Sequence, residues 1–130
     1  MKARLLFNRD GTPFVGSAAE WAESCGLADR AVAKTYLARG RVLVSTVFLG
    51  LDHSLSPTGS PILFETMVFR SRAHVDMERY GTEREARLGH LRMVSRWQWR
   101  AWLEWVPWRA IREFWRRLMD AIPARRTRCT

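Results

Sequence analysis

Four side chains near the middle of the chain could share a reaction or a metal ion: Asp52, His53, Glu65 and His90. Two imidazoles and two carboxylates make a donor set for a divalent cation, and equally for general acid–base catalysis. Their spacing fits neither HExxH nor HxH. The same residues also have a structural reading. Glu65 would then bond a neighbouring strand or pair with Arg79, His90 would be a satisfied core histidine, and Asp52 would cap its loop. Convergence of the four at a solvent-reached pocket separates these readings.

A second candidate is the segment RWQWRAWLEWVPWRAIREFWRR, Arg96–Arg117, which holds six of the seven Trp. Beyond Pro107, the residues Trp108, Ile111, Trp115, Leu118 and Ile122 recur at 3-4-3-4 spacing. Arg109, Arg112, Glu113, Arg116, Arg117 and Asp120 fill the opposite arc, so the segment reads as an amphipathic helix. Three uses fit it. Indole at the headgroup level with guanidinium on lipid phosphate suits an anionic membrane surface. Arg on phosphate with indole on bases suits nucleic acid. A buried stripe suits packing on the chain's own domain or on a second copy of it. Other signatures are missing: Gly50 and Gly59 stand alone, there is no CxxC, and Ser45, Ser54, Ser56 and Ser60 lack a nucleophile elbow. No cofactor or metal is therefore expected.

The elements that position these residues follow from pattern and turn chemistry. Arg41–Arg70 is organised as strand, polar loop, strand, with strands over Val42–Leu51 and Pro61–Phe69. Val42–Leu51 is apolar on both faces, as in a central strand covered on one side by helix. Ala3–Phe7 and Pro13–Val15 flank Asp10-Gly11 and predict a small hairpin. Ser17 and Glu20 form a capping box for a short helix that faces Trp21 and Ala22 inward and stops at Gly26. Ala31–Leu37 reads as a strand joined to Val42 by a short turn, and Val75–Tyr80 as a short edge strand. Thr82 and Glu85 open a long helix with a second capping box, and Ala86, Gly89, His90, Met93 and Trp97 share one face of it. Pro107 should break that helix, and Pro123 should end the next one before a basic tail at Ala124–Thr130. The expected fold is α+β: a small antiparallel sheet of three to five strands, a short N-terminal helix, one long helix packed on the sheet, and a C-terminal amphipathic helix. Residues 1–95 would form the globular domain and residues 96–130 a basic extension.

Charge supports that division. The chain carries a net +9, and 20 of its 22 basic residues are Arg. Residues 83–130 hold 12 Arg against 5 acids, so the excess is concentrated in the last third. Such asymmetry points to an acidic partner, a nucleic acid or an anionic membrane. Cys25 and Cys129 form no disulfide framework and read as free thiols in a reducing compartment. The start MKARLLFNRDG lacks the apolar run of a signal peptide, and no stretch suits a transmembrane span.

Three blocks resemble a known family: VSTVFLGLDHS (Val44–Ser54), PILFETMVF (Pro61–Phe69) and ERYGTEREARLGH (Glu78–His90). The upstream RDGTP, AAEW and AVAKT are similar to the same family, a group of small phage, prophage and bacterial proteins without an assigned activity. The resemblance covers roughly residues 1–95. It implies a phage or prophage setting and supplies no mechanism. Taken together, the expectation is a small non-enzymatic binding or regulatory protein in the bacterial host cytoplasm, with a host or phage protein as partner. The alternatives are a membrane-surface or nucleic-acid protein acting through its C-terminal helix, and a small enzyme or metal-binding protein using the Asp52 group.

Overall fold

The computed structural model describes residues 4–24, 26, 29–55 and 58–121. Cys25, Cys129, Ile122, Pro123 and the tail 124–130 lie outside the described residues. The architecture is α+β, with two antiparallel sheets and three α-helices among the described residues. A two-stranded hairpin, β1 (Arg4–Phe7) and β2 (Pro13–Gly16), leads into α1 (Ala18–Ser24). A four-stranded meander follows in the order β3 (Ala31–Leu37), β4 (Val42–Phe48), β5 (Phe64–Arg70) and β6 (Ala73–Tyr80). The described residues close with α2 (Glu83–Trp105) and α3 (Trp108–Ala121).

Both capping boxes form. The Ser17 N–H donates to Glu20 Oε2 at 2.7 Å while the Glu20 N–H donates to Ser17 Oγ at 3.2 Å. Thr82 and Glu85 make the same reciprocal pair at the start of α2. Each box satisfies amides that a helix start would otherwise leave bare. Trp21 is half-buried as expected, but Ala22 is exposed. The indole of Trp21 lies against Gly50, whose φ of +71° and lack of Cβ allow the contact, and Arg30 stacks on its ring at 4.6 Å. That turn at Gly50 ends β4 three residues short of Leu51.

Pleating assigns the two faces of the large sheet. Register pairs Thr35 with Val44, Leu37 with Val42, Val44 with Val68, Thr46 with Thr66, and Phe48 with Phe64. These residues face α2. Tyr36, Leu43, Val47, Glu65, Met67, Phe69, Met77 and Arg79 occupy the alternate positions and face the other way. Beneath α2 the core falls into two apolar clusters. One joins Phe7, Phe48, Leu63, Phe64, Tyr80 and Ala86; the other joins Val42, Val44, Val68, Met93, Trp97 and Ala101. Burying each large side chain contributes about 1.5–3 kcal/mol. Gly89 lets the helix approach: a Cβ there would overlap the ring and hydroxyl of Tyr80.

Charged clasps fix the helix laterally. Arg9 on the small hairpin donates from Nε and Nη2 to Glu83 in the first turn of α2, at 2.7 and 2.9 Å. On β6, Asp76 accepts from Trp97 Nε1 at 2.9 Å, and Glu78 accepts from Arg96 at 2.8 Å and from the Tyr80 hydroxyl at 2.9 Å. Burial opposes the charge on both carboxylates, yet these bonds hold both below the usual carboxylate range.

The boundary read at residue 95 falls inside α2, which runs unbroken to Trp105. Trp97 and Ala101 continue the buried face begun by Ala86, His90 and Met93, at intervals of three or four residues. The break comes instead at Val106, whose extended ψ of 122° stops the helix just before Pro107. A chain ending after Val106 should therefore melt as cooperatively as the full chain, by circular dichroism. A chain ending after Ser95 should be less stable by about 3–5 kcal/mol, because it loses the buried Trp97. Equal midpoints for the two would place Trp97 outside the core.

Candidate functional site

The four polar candidates do not converge. His90 lies on the sheet-facing side of α2 and is 4 % exposed. Its Nε2 pairs with Thr35 Oγ1 at 2.9 Å, and its Nδ1 with Thr46 Oγ1 at 2.8 Å. Thr46 Oγ1 bonds Thr66 Oγ1 in turn, at 2.6 Å. A neutral imidazole offers one donor and one acceptor, and rotatable hydroxyls complement either tautomer. Burial holds the His90 pKa below its ordinary 6.5.

Glu65 is next to Thr66 on β5 and so projects from the opposite face of the sheet. It is bonded by Arg79 Nε at 2.8 Å. Met67 and Phe69 share its face, whereas Leu63 precedes the strand and enters the core. Asp52 accepts from the N–H groups of Ser54 and Ile62, at 2.8 and 2.9 Å. Those amide bonds hold its carboxyl below the usual range. His53 is exposed, and its N–H donates to the Ile62 carbonyl. The sheet thus separates Glu65 from His90. Among the described residues no three His, Cys, Asp or Glu side chains are grouped to hold a metal. Glu65, His90 and Asp52 thus stand apart, in strand pairing, core satisfaction and loop capping respectively, and His53 lies exposed beside Asp52.

The partners of His90 were not singled out from sequence. Their signal is modest: Thr35, Thr46 and Thr66 are the hydroxyl-bearing members of otherwise apolar inward positions in three successive strands.

The candidate binding surface is α3. Val106 and Pro107 separate it from α2, and the Trp108 indole donates to the Leu103 carbonyl at 2.9 Å, which ties its first turn back to α2. None of its described residues is buried. Trp108 is 53 % exposed and Trp115 55 %; Phe114, Leu118 and Met119 are exposed too, and Ile111 is half-exposed. Placed at about 100° per residue, Ala110, Ala121, Phe114, Leu118, Ile111, Trp115, Trp108 and Met119 fill one continuous arc of about 180°. The apolar side is thus broader than the single stripe read from spacing, and includes Phe114 and Met119. Arg109, Arg112, Arg116, Arg117, Glu113 and Asp120 take the other half. Within it, Arg112 and Arg117 sit at the two borders with the apolar arc, while Glu113 and Asp120 lie near its middle. Glu113 accepts from Arg116 at 2.7 Å.

The buried imidazole predicts a pH dependence of stability. In the unfolded chain His90 titrates near 6.5; in the fold it protonates only at lower pH. Between those values the unfolded state binds a proton that the folded state refuses, so stability is complete above 6.5 and declines as pH falls below it, by at most about 1.4 kcal/mol per pH unit. Asp76, Glu78 and Glu83 are held below the usual carboxylate range and titrate beneath that window. Urea melts between about pH 7 and about pH 5 should show the decline in the native chain and a shallower one in His90→Gln. Equal slopes would mean that His90 is not held neutral by the fold.

Compared with family models, curated proteins and solved structures, the chain matches none.

Proposed function

We propose that this is a non-enzymatic binding protein of phage or prophage type, acting in the host cytoplasm, whose C-terminal helix docks on an anionic membrane surface. The observation that carries the reading is the half-apolar, unburied α3 with arginines at both borders of its apolar arc. An apolar surface of that size is stable only when something covers it. Lipid suits the arrangement of charge. Arg112 and Arg117 can lay their stems along the apolar side and raise their guanidinium groups to phosphate on either flank. Glu113 and Asp120, in the middle of the polar arc, then face water. Trp108 and Trp115 place indole rings at the depth where such rings are favoured. Among the described residues no helix is long and apolar enough to cross a membrane, so the contact would be peripheral. The phage or prophage setting rests on the blocks around Asp52, Glu65 and Glu78 alone.

Vesicles of phosphatidylcholine with and without phosphatidylglycerol test the reading. Tryptophan emission should shift to the blue on the anionic vesicles and stay in place on the neutral ones. The shift should weaken with salt, because the arginine–phosphate attraction is screened. Trp108→Ala with Trp115→Ala should abolish it, and Arg112→Gln with Arg117→Gln should mainly reduce its salt dependence. Emission that ignores vesicles, together with a dimer in sedimentation, would assign α3 to self-association.

A further inference from the structure

The end of the sheet away from the Asp52 loop carries a second basic surface, distinct from α3. Two turns meet there. The β3–β4 turn runs through Ala38, Arg39 and Gly40 to Arg41, and the β5–β6 turn through Ser71 and Arg72. They touch, since the Ser71 N–H donates to the Arg41 carbonyl at 3.3 Å. Arg39, Arg41, Arg70 and Arg72 therefore lie on adjoining segments, and all four are exposed.

The backbone there is unusual. Ala38, Arg39, Ser71 and Arg72 have φ of 50°, 57°, 49° and 67°. A two-residue hairpin turn with both φ positive favours Asn-Gly, yet this chain uses Ser-Arg. Each such residue carries a local free-energy cost relative to glycine. Two of the four are arginines, placed where fold stability alone would favour a small residue.

Beside the turns is a cleft of about 600 Å³ lined by Tyr36, Leu43, Phe69, Arg41 and Arg72 along with Gly40 and Ser71. Tyr36 is 65 % exposed and belongs also to a second cleft of about 400 Å³, which adds Arg39 and Trp102. Phe69, Tyr36 and Trp102 thus share the two clefts with Arg39, Arg41 and Arg72. The acids nearest in the sheet are already engaged. Glu65 is held by Arg79, while Asp76 and Glu78 point to the α2 side and bond Trp97, Arg96 and Tyr80.

We propose that this surface binds single-stranded nucleic acid, with the turn arginines on the phosphates and bases stacked on Tyr36. Two features favour that occupant. Two clefts sharing one aromatic ring suit a chain of nucleotides rather than a lone anion. The rings are accessible only to unstacked bases, so a duplex cannot use them. A bilayer would require a continuous apolar surface, whereas here arginines line the same clefts as the rings.

The test is fluorescence anisotropy of the full chain with a labelled single-stranded oligonucleotide of mixed sequence. The native chain should bind, and the unlabelled duplex should compete poorly. Tyr36→Ala should weaken binding roughly five- to hundredfold. Arg41→Gln with Arg72→Gln should lower the slope of log affinity against log salt by about 1.4, measured from about 50 to about 200 mM. These side chains are exposed or at a cleft edge, and far-ultraviolet circular dichroism verifies that the variants fold. Arg112→Gln with Arg117→Gln should leave oligonucleotide affinity within about twofold. No binding at low salt would overturn the proposal. So would affinity that ignores the sheet variants and falls with the α3 variant, since the oligonucleotide would then be held by the helix.

Discussion

The contact on which the fold depends is the buried imidazole of His90 between Thr35 and Thr46. It lies between the two apolar clusters, with Phe48, Phe64 and Ala86 on one side and Val44, Val68 and Met93 on the other. A bare imidazole at that depth would be costly; Thr35 satisfies one ring nitrogen, and Thr46 satisfies the other and is bonded in turn to Thr66. Apolar packing tolerates sliding, whereas these bonds are made at one register only. The histidine therefore sets how α2 lies along the sheet, and Gly89 sets how closely, through its contact with Tyr80. Chemistry that seemed available to His90 is given up to positioning.

That positioning decides what remains for binding. With α2 seated, the β6 carboxylates Asp76 and Glu78 are turned inward to Trp97 and Arg96, and Glu83 is engaged by Arg9 and Arg87. Asp76, Glu78 and Glu83 are thereby committed to holding the helix. The arginines of the two sheet turns and of α3 lie at the surface. Exposed arginines are thus displayed on two separate surfaces. Each also exposes aromatic rings, so the attraction for anions is combined with apolar contact in both places.

Much of the fold was legible because its signals are local. Alternating β-branched residues mark β4 and β5, the Thr82–Glu85 box marks the start of α2, and Pro107 marks its end. The structural reading of the polar group was legible also: Glu65 pairs with Arg79, Asp52 caps its loop, and His90 is satisfied in the core. The face that a helix covers is set by tertiary packing: Glu65 and Thr66 are adjacent on β5, yet only Thr66 faces the side where His90 lies. The same limit explains the boundary at 95. Composition does not separate Trp97 from its exposed neighbours Trp99 and Trp102; helical periodicity already places it on the face of His90 and Met93, and packing with Val42, Val44 and Val68 buries it there. The arginine end of the sheet gave no contiguous motif, because two turns about thirty residues apart build it.

The central claim is that α3 is an unpartnered helix awaiting an anionic lipid surface. Amide hydrogen exchange of the full chain, with and without anionic vesicles, tests it most directly. The account predicts fast exchange across residues 108–121 in buffer, slow exchange there on vesicles, and unchanged protection in residues 86–101 under both conditions. Strong protection of residues 108–121 in buffer alone would contradict it, because the helix would already be covered.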